Sequence, residues 1–272
     1  MTQPELPEGA VAPDTADDRQ GESGTQSIRR AIGVLRILAM AREAGYGLTD
    51  VARLTGLTRP TAHRILLALI DEGLVEQKPA TRRYAVGEQI QLLALSRPRR
   101  SPLLAAAEPL LDELTDSIGD TLFLTQRAGL DTVCVARRLG AYPVQVLSLS
   151  VGDRRPLGVS SSGLALLARL PDDEANDLLA QNAPRLTSYG ATLAQASAWV
   201  QEARKLGYAV RDRGLVPGTR ALSVTIRDRS GEAFAAITCA GVIRRMSPAR
   251  MEAIAEDLRA AAQAVERLLA RA

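Results

Sequence analysis

Two short helical patterns joined by a three-residue turn constrain the fold of this chain more than any other feature of its sequence. Thr49 can cap a first helix, and Gly56 can supply the left-handed residue that ends it. Thr58 can cap a second helix, and Pro60 lies in its first turn, where backbone N–H groups have no helical partner. The turn Gly56-Leu57-Thr58 is short enough to set the two helices across each other, as in a helix–turn–helix.

The flanking segments complete a winged helix–turn–helix. From Ser27 onward, apolar residues recur at helical spacing: Ile28, Ala31, Ile32, Leu35, Leu38 and Ala39. After the helix pair, Leu74–Glu76 and Arg83–Val86 predict two short strands around a polar turn. We therefore predict a winged helix–turn–helix domain over residues 27–86. A three-helix packing module that binds no DNA would have the same skeleton and stays the alternative.

Charge is concentrated in the same part of the chain. Residues 27–100 hold 13 Lys or Arg and six Asp or Glu, a net charge of +7, whereas the whole chain carries +3. Such a segment is the expected footprint of a module that binds a polyanion, although an arginine-rich helical surface in solvent would look similar. Residues 1–26 hold six acids and one base. Because they have almost no aliphatic periodicity, they predict a disordered tail.

The second helix of the pair would read DNA with its outward face. If Ala62, Ile65, Leu66 and Leu69 face the core, the helical repeat turns His63 and Arg64 outward and leaves Arg59 at the N-terminal end. Arginine can contact guanine with two hydrogen bonds, and the threonine methyl can meet the methyl group of thymine. In the alternative, Arg59 and Arg64 hold phosphates, which position a protein without specifying sequence. The predicted DNA contacts are Arg59, Thr61, His63 and Arg64 of this helix, with Arg82 and Arg83 of the wing.

The remainder of the chain predicts a second domain of the α+β class. Residues 87–102 predict a linker helix, with Pro98 and Pro102 interrupting the chain near its end. Residues 103–272 then combine terminal helices with an antiparallel sheet between them. The predicted strands cover Thr121–Gln126, Thr132–Arg137, Val144–Ser150, Tyr208–Asp212, Leu222–Arg227 and Ala233–Cys239, and the helices begin near Leu103, Gly163, residue 193 and Pro248.

Motifs for catalysis and metal binding fail on inspection. His63 is the single histidine, and the two cysteines, Cys134 and Cys239, are too far apart for zinc-finger or CxxC spacing. Residues 158–163 have the glycine spacing of a phosphate loop, but Leu164 and Ala165 stand where lysine and a hydroxyl residue would be needed. Cys239 ends an apolar strand and is interpreted as a small buried hydrophobe. We expect no enzyme activity, no metal site and no cofactor.

The expected compartment is the cytoplasm. No apolar run approaches the length of a membrane span, and the N-terminus has no signal-peptide core. A disulfide framework is also excluded by the two cysteines, which favours a reducing environment. We therefore expect no membrane partner.

The motifs together resemble a known family of bacterial transcription factors. The segments SIRRAIGVLRIL, GLTDVARLTGLTRPTAHRILLALIDEGLVEQ and RRYAVG resemble the DNA-binding domain of the isocitrate lyase regulator (IclR) family. The segments VGDRRPL, SSSGLALLA, KLGYAVRD and VPGTRALSVTIRDRSGEAFAAITCAG resemble its second domain. The resemblance runs from about Ser27 to the C-terminus. It implies a dimer or a dimer of dimers, in which a linker helix joins the winged helix–turn–helix to a GAF-like, effector-binding domain.

The resemblance also implies a cup for the effector. The matching positions are Ser161, Ser162, Arg211, Thr219, Ala221, Thr238 and Ala240. Two departures from the family are Gly158 and Leu164, where relatives often have histidine and lysine, and an acid often occupies the Arg211 position. Because arginine grips a carboxylate with two hydrogen bonds, we expect a small organic acid, aromatic acids included. In the alternative, Arg211 points to solvent or pairs with Asp212.

These observations predict a sequence-specific DNA-binding transcriptional regulator controlled by a small carboxylate. A symmetric homo-oligomer would read a pseudo-palindromic operator in double-stranded DNA. Two alternatives come from other classes. One is an enzyme built on the second domain, with the winged helix as an accessory, and the other is a constitutive DNA-binding protein with a silent second domain.

Overall fold

A computed structural model describes residues 16–41, 44–96, 101–211 and 216–271. The chain divides into two compact units, one containing the described residues up to Ser96 and one containing those from Ser101. The order of helices and strands is that of a winged helix–turn–helix followed by an α+β domain with an antiparallel sheet, which confirms the predicted fold class.

The described residues of the N-terminal unit form four α-helices and one hairpin. Its elements are α1 (Ala16–Ala41), α2 (Leu48–Thr55), α3 (Arg59–Asp71), β1 (Val75–Gln77), β2 (Tyr84–Val86) and α4 (Gln89–Leu95). The two strands pair antiparallel. Val34 and Leu38 of α1, Val51 of α2, and Ala62 and Leu66 of α3 are fully buried together and hold the three helices against one another.

Helix α1 begins earlier than predicted. Residues 16–26, which composition assigned to a disordered tail, are helical, and the rest of that tail, residues 1–15, lies outside the described residues. The physical reason is cooperativity: once the packed part of α1 has formed, each added residue contributes a hydrogen bond without a new nucleation cost.

The hairpin is fixed to the connection between α1 and α2. Tyr46 and Tyr84 exchange both backbone hydrogen bonds, at 2.9 and 2.8 Å. Gly45 next to this bridge has a φ of 63°, and a Cβ there would lie 2.6 Å from the Tyr84 carbonyl oxygen. Glycine is therefore required at position 45, and the wing is attached to the body of the domain at a second point.

The C-terminal unit is a six-stranded antiparallel sheet with helices on both faces. Its elements are α5 (Pro102–Ile118), β3 (Thr121–Ala128), β4 (Asp131–Arg138), β5 (Arg154–Pro156), α6 (Ser161–Leu167), α7 (Asp172–Leu186), α8 (Leu193–Leu206), β6 (Ala209–Arg211), β7 (Thr219–Arg227), β8 (Ala233–Val242) and α9 (Pro248–Arg271). The strand order is β5-β4-β3-β8-β7-β6. Alternation along the strands turns Leu122 and Leu222 toward α5 and α9, whereas Phe123 and Ser223 face the side on which α6 lies.

Residues Val144–Ser150 form a loop and not the predicted strand. Side chains satisfy part of its backbone in place of a ladder: the Val146 N–H donates to Thr121 Oγ1 at 3.0 Å, and the Ser150 N–H donates to Asp153 Oδ2 at 2.9 Å. The neighbouring strand position belongs to β5, which pairs with the start of β4.

The boundaries of the linker helix also differ from the prediction. The linker helix is α4, which ends at Leu95, residues 97–100 lie outside the described residues, and Pro102 begins α5 instead of ending the linker. Asp172 and Asp173 form the first turn of α7, where acidic residues suit the helix dipole. Asp212, the expected end of β6 and a possible partner of Arg211, lies outside the described residues.

Candidate DNA-binding surface and effector pocket

The start of α3 is fixed by a threonine cap. The Thr61 N–H donates to Thr58 Oγ1 at 3.4 Å, and the hydroxyl of Thr58 lies 2.9 Å from that of Thr61. Pro60 occupies the first turn, where its missing N–H leaves no helical bond unmade. The local sequence thus places the N-terminal end of the helix in one orientation.

Helix α3 turns its charged side chains away from the core. Leu66 and Leu69 are buried, whereas Arg59, His63 and Arg64 are exposed. Within the described residues, neither Arg59 nor Arg64 makes a side-chain hydrogen bond or an ion pair. Two unpaired guanidinium groups on the face predicted to meet DNA can each bind a base edge or a phosphate. Thr61 lies at the flank of this face and is half-buried.

The two wing arginines differ in their contacts. Arg82 is exposed and has a φ of 55°. Its backbone N–H donates to the Lys78 carbonyl oxygen at 2.8 Å, and this bond stabilises the turn of the wing. The guanidinium group of Arg83 instead donates from Nε to the Gly45 carbonyl at 3.0 Å and lies 3.8 Å from Asp50 Oδ2. Arg83 therefore holds the wing to the body, while the side chain of Arg82 makes no such contact in the described part of the chain.

All seven residues predicted for the effector cup line one cavity. Its volume is about 460 Å³, including the space open to solvent at its mouth. The other lining residues are Phe123, Val146, Ser148, Leu149 and Ser160. Apolar side chains from the sheet and from the loop 144–150 form one wall, and hydroxyl groups form another. Arg211 is the single charged residue among the described lining residues.

A hydroxyl network that the sequence reasoning missed connects two walls of this pocket. Ser223 Oγ lies 2.8 Å from Ser161 Oγ and 2.7 Å from Thr238 Oγ1, and all three residues are buried. Ser160 caps α6, and its hydroxyl lies 3.0 Å from that of Ser162 in the first turn of the helix. The sequence could have indicated Ser223 through the alternation of side chains along β7, because Ser223 lies on the same face of the strand as Ala221.

Arg211 lies in the pocket wall, where it contacts a backbone carbonyl and an aromatic ring. Its Nε donates to the Val159 carbonyl oxygen at 3.2 Å. Its guanidinium carbon lies 3.6 Å from the centroid of the Trp199 ring, a distance typical of a cation–π contact. Nothing in the sequence pattern linked Trp199 to this site, because it comes from α8 and meets Arg211 only in the folded domain.

Arginine side chains hold the loop that forms the apolar wall. Arg155 Nη2 donates to the Ser148 carbonyl at 3.3 Å, and Arg137 Nη1 donates to the Leu149 carbonyl at 3.1 Å. These bonds anchor the loop 144–150 in place of strand pairing. The loop can therefore contribute Val146 and Leu149 to the pocket.

Neither cysteine has the environment of a reactive thiol. Cys134 and Cys239 are both buried. Burial, and then the negative charge of Asp120, raise the pKa of the Cys239 thiol far above its ordinary value, so it is neutral at physiological pH. Within the described residues, no group of three His, Cys, Asp or Glu side chains could hold a metal ion. In the same part of the chain, no helix has both the length and the apolarity needed to cross a bilayer.

Two family models match the chain in the order of its domains. The IclR helix-turn-helix domain matches residues 27–79, and the bacterial transcriptional regulator IclR C-terminal domain matches residues 98–267. Among curated relatives, the HTH-type transcriptional regulator BhcR of Paracoccus denitrificans is 30% identical over 90% of this chain and 87% of its own length. The glycerol operon regulatory protein of Streptomyces griseus is 32% identical over 82% of this chain and 87% of its own.

Solved structures agree with the family models. A putative IclR transcriptional regulator from Silicibacter sp. TM1040 is 27% identical, with a TM-score of 0.74 over 89% of this chain and 96% of that one. An IclR homologue from Microbacterium hydrocarbonoxydans, complexed with 4-hydroxybenzoate, has the same fold at 23% identity, with a TM-score of 0.66 over 90% of this chain and all of that one. Members of this family are transcriptional regulators and not enzymes, in agreement with the failed catalytic motifs. The chain belongs to the IclR family of DNA-binding bacterial transcriptional regulators.

Proposed function

We propose that this regulator binds a small organic acid in the pocket around Arg211 and that the acid changes how the protein binds its operator. The observation that carries this proposal is the composition of the pocket: one guanidinium group beside an apolar wall and a hydroxyl-lined wall. The charge would bind the carboxylate of the ligand, and the apolar wall would cover its hydrocarbon part. A ligand can shift the protein between two states only if it binds one of them more tightly.

The chemistry of the pocket suits a carboxylate with a flat or short apolar body. Phe123, Val146 and Ala240 pack together beneath the apolar wall. The Ser161 hydroxyl accepts from Ser223 and can donate to a ligand oxygen, whereas the Thr238 hydroxyl donates to Ser223 and can accept from a ligand, in both cases without a further charge. The homologue solved with 4-hydroxybenzoate supports an acid of this kind as a first probe for this chain, although its likeness to this chain concerns the fold.

The DNA contacts proposed for α3 rest on the unpaired arginines of its outward face. In this proposal, Arg59 reads a base edge from the N-terminal end of the helix, as in other helix–turn–helix proteins. Arg64 and His63 lie one turn further along, and Thr61 borders them. The wing contributes Arg82 to the DNA backbone, while Arg83 positions the wing through Gly45 and Asp50.

We further propose that the protein acts as a homo-oligomer in the cytoplasm, where its DNA lies. Helix α4 buries none of its residues against the rest of the described chain, and Leu92, Leu93 and Leu95 are all more than half exposed. Leucines on an unpartnered helix favour burial against a second copy, and a two-fold dimer would match a pseudo-palindromic operator. Leu93→Asp should shift the sedimentation coefficient toward that of a smaller species. An unchanged coefficient would remove α4 from the interface.

One titration tests the proposal as a whole. A labelled DNA fragment from upstream of the gene for this chain is titrated with the protein at two salt concentrations, with and without 4-hydroxybenzoate and other small acids. Site-specific binding that an acid strengthens or weakens would support the regulator with an acid effector. Binding that depends on salt but not on DNA sequence or on any acid would contradict it and favour a constitutive DNA-binding protein.

A further inference from the structure

A second cavity lies at the other end of α6, away from the effector pocket. It measures about 510 Å³, including its open mouth, and is bounded by α6, α8 and β7. Small residues line it where the two helices approach the sheet, namely Ala165, Ala168, Ala203 and Gly207. The space exists because no large side chain from either helix fills it.

The cavity lies where the edge of the sheet is uncovered. Strand β6 pairs with β7 only from Ala221 to Ser223, whereas β7 continues to Arg227. Within the described residues, β7 therefore has no strand neighbour on this side from Val224 onward. Val224 and Thr225 line the cavity at this uncovered edge. Backbone groups on an open edge are available to water or to a ligand.

Thr225 places a hydroxyl in the wall of this cavity. The residue is 7% exposed, and its hydroxyl makes no hydrogen bond to any described residue. The oxygen is accessible from the cavity, so it can bind water or a ligand. Ser223 also borders the cavity, but it is fully buried and its hydroxyl already contacts Ser161 and Thr238. The Thr225 hydroxyl thus points to a ligand with a hydroxyl group of its own.

The cavity also carries an uncompensated positive charge. Arg204 is committed to the fold, because it donates to the carbonyls of Ala168 and Leu170 and pairs with Asp172. Arg169 is exposed at the C-terminal side of α6 and makes no side-chain hydrogen bond or ion pair within the described residues. A guanidinium group in this position can bind a carboxylate at the mouth of the cavity.

We propose that this cavity is a second binding site, for a small hydroxycarboxylate held by Arg169 through its carboxylate and by Thr225 through its hydroxyl. The contact between Ser161 and Ser223 separates it from the effector pocket. Among the described residues, none lines both sites. The proposal does not depend on the acid effector proposed for the first pocket.

Glycolate is the probe for this site, since it combines a carboxylate and a hydroxyl in the smallest space. Its binding to the full-length protein is measured by saturation-transfer difference NMR and calorimetry. Arg169→Gln should raise the dissociation constant at least about tenfold, because a charge-assisted hydrogen bond is lost. The matched control is Arg267→Gln, which removes an exposed arginine of α9 that makes no side-chain hydrogen bond or ion pair in the described part of the chain. This control should leave the affinity unchanged.

Further variants test the position and the chemistry of the site. Ala203→Leu should abolish glycolate binding by filling the cavity, and circular dichroism establishes that the variant is folded. If that variant is not folded, the Arg169→Gln variant still tests the site, because Arg169 is exposed and its replacement should leave the fold intact. Thr225→Val should weaken the binding of glycolate severalfold and leave the binding of 4-hydroxybenzoate unchanged. Propionate, which lacks the hydroxyl, should bind severalfold more weakly than glycolate.

Four results would overturn the proposal. The first is the absence of saturable glycolate binding up to on the order of 10 mM. The second is binding that neither Arg169→Gln nor a folded Ala203→Leu variant weakens. Tighter binding of inorganic phosphate than of glycolate would refute the hydroxycarboxylate class. Loss of glycolate binding in Arg211→Ala would place the probe in the effector pocket, whereas failure of the effector proposal alone would leave glycolate binding to the second cavity intact.

Discussion

Replacing Arg211 with alanine should weaken the binding of an acidic effector but leave the binding of its uncharged analogue almost unchanged. The reason is that Arg211 is the single charge among the described residues of the effector pocket. An acid loses its ionic partner in the variant, whereas an amide of the same shape does not. The difference between the two ligands therefore isolates the carboxylate contact from any general change in the pocket.

The magnitude follows from the contacts that Arg211 makes. A hydrogen bond to a charged group contributes about 1.5–3 kcal/mol, which corresponds to roughly ten- to a hundredfold in dissociation constant. Arg211 already donates to the Val159 carbonyl and stacks on Trp199. The stacking holds the guanidinium group in place, so less side-chain entropy is lost when a ligand binds. We expect Arg211→Lys to recover only part of the affinity, because lysine cannot make the two parallel bonds.

The assay is a pair of calorimetric titrations with 4-hydroxybenzoate and 4-hydroxybenzamide, repeated on the two variants. Trp199 is the only tryptophan in the chain and provides a second readout, since a ligand that moves the guanidinium group from its ring should change its fluorescence. An equal loss of affinity for the acid and the amide in Arg211→Ala would show that Arg211 only shapes the pocket. No loss for either ligand would remove Arg211 from the site.

Three other predictions concern DNA binding, thiol chemistry and stability. Arg59→Ala should cost about 1–3 kcal/mol on the operator and relax base preference at one position, as measured by fluorescence anisotropy; equal losses on operator and random DNA would make Arg59 a phosphate contact. Cys134 and Cys239 should not react with an aromatic disulfide reagent at pH 8 until denaturant is added, and rapid labelling of the native protein would contradict their burial. Asp120→Asn should lower the free energy of unfolding by about 1.5–3 kcal/mol, because the buried Asp120 carboxylate binds the partly exposed Arg245 at 3.0 Å and Arg250 at 2.9 Å; a denaturation midpoint within error of the wild type would refute this.

The elements that sequence reasoning placed correctly are those governed by local periodicity and capping. The cap at Thr58 and the buried stripe of Ala62, Leu66 and Leu69 lie within one short segment, and they define both the existence and the orientation of α3. The prediction of a strand over Val144–Ser150 was wrong because contacts distant in sequence determine the structure of this segment. Its apolar alternation is real, but side chains distant in sequence, such as Arg137 and Arg155, bind its backbone.

The candidate sites depend on both kinds of information. The seven pocket residues came from the family resemblance, and the structure brings them together in one cavity, while their role in binding an effector stays a prediction. Ser223 and Trp199 were missed because their importance lies in contacts between elements far apart in the chain. The second cavity could not have been predicted from sequence, because it results from what small residues of α6 and α8 leave unfilled.

The separation of buried and exposed residues on α3 has a consequence for how regulators of this kind diversify. The buried stripe maintains the fold, and the exposed residues Arg59, His63 and Arg64 contribute almost nothing to it. Mutations at those three positions should therefore accumulate after a gene duplication at little cost in stability, and in the proposed role of these residues as DNA contacts each would redirect a copy to a new promoter. The same separation makes these positions a suitable starting point for engineering variants with altered operator preference on an unchanged sensor.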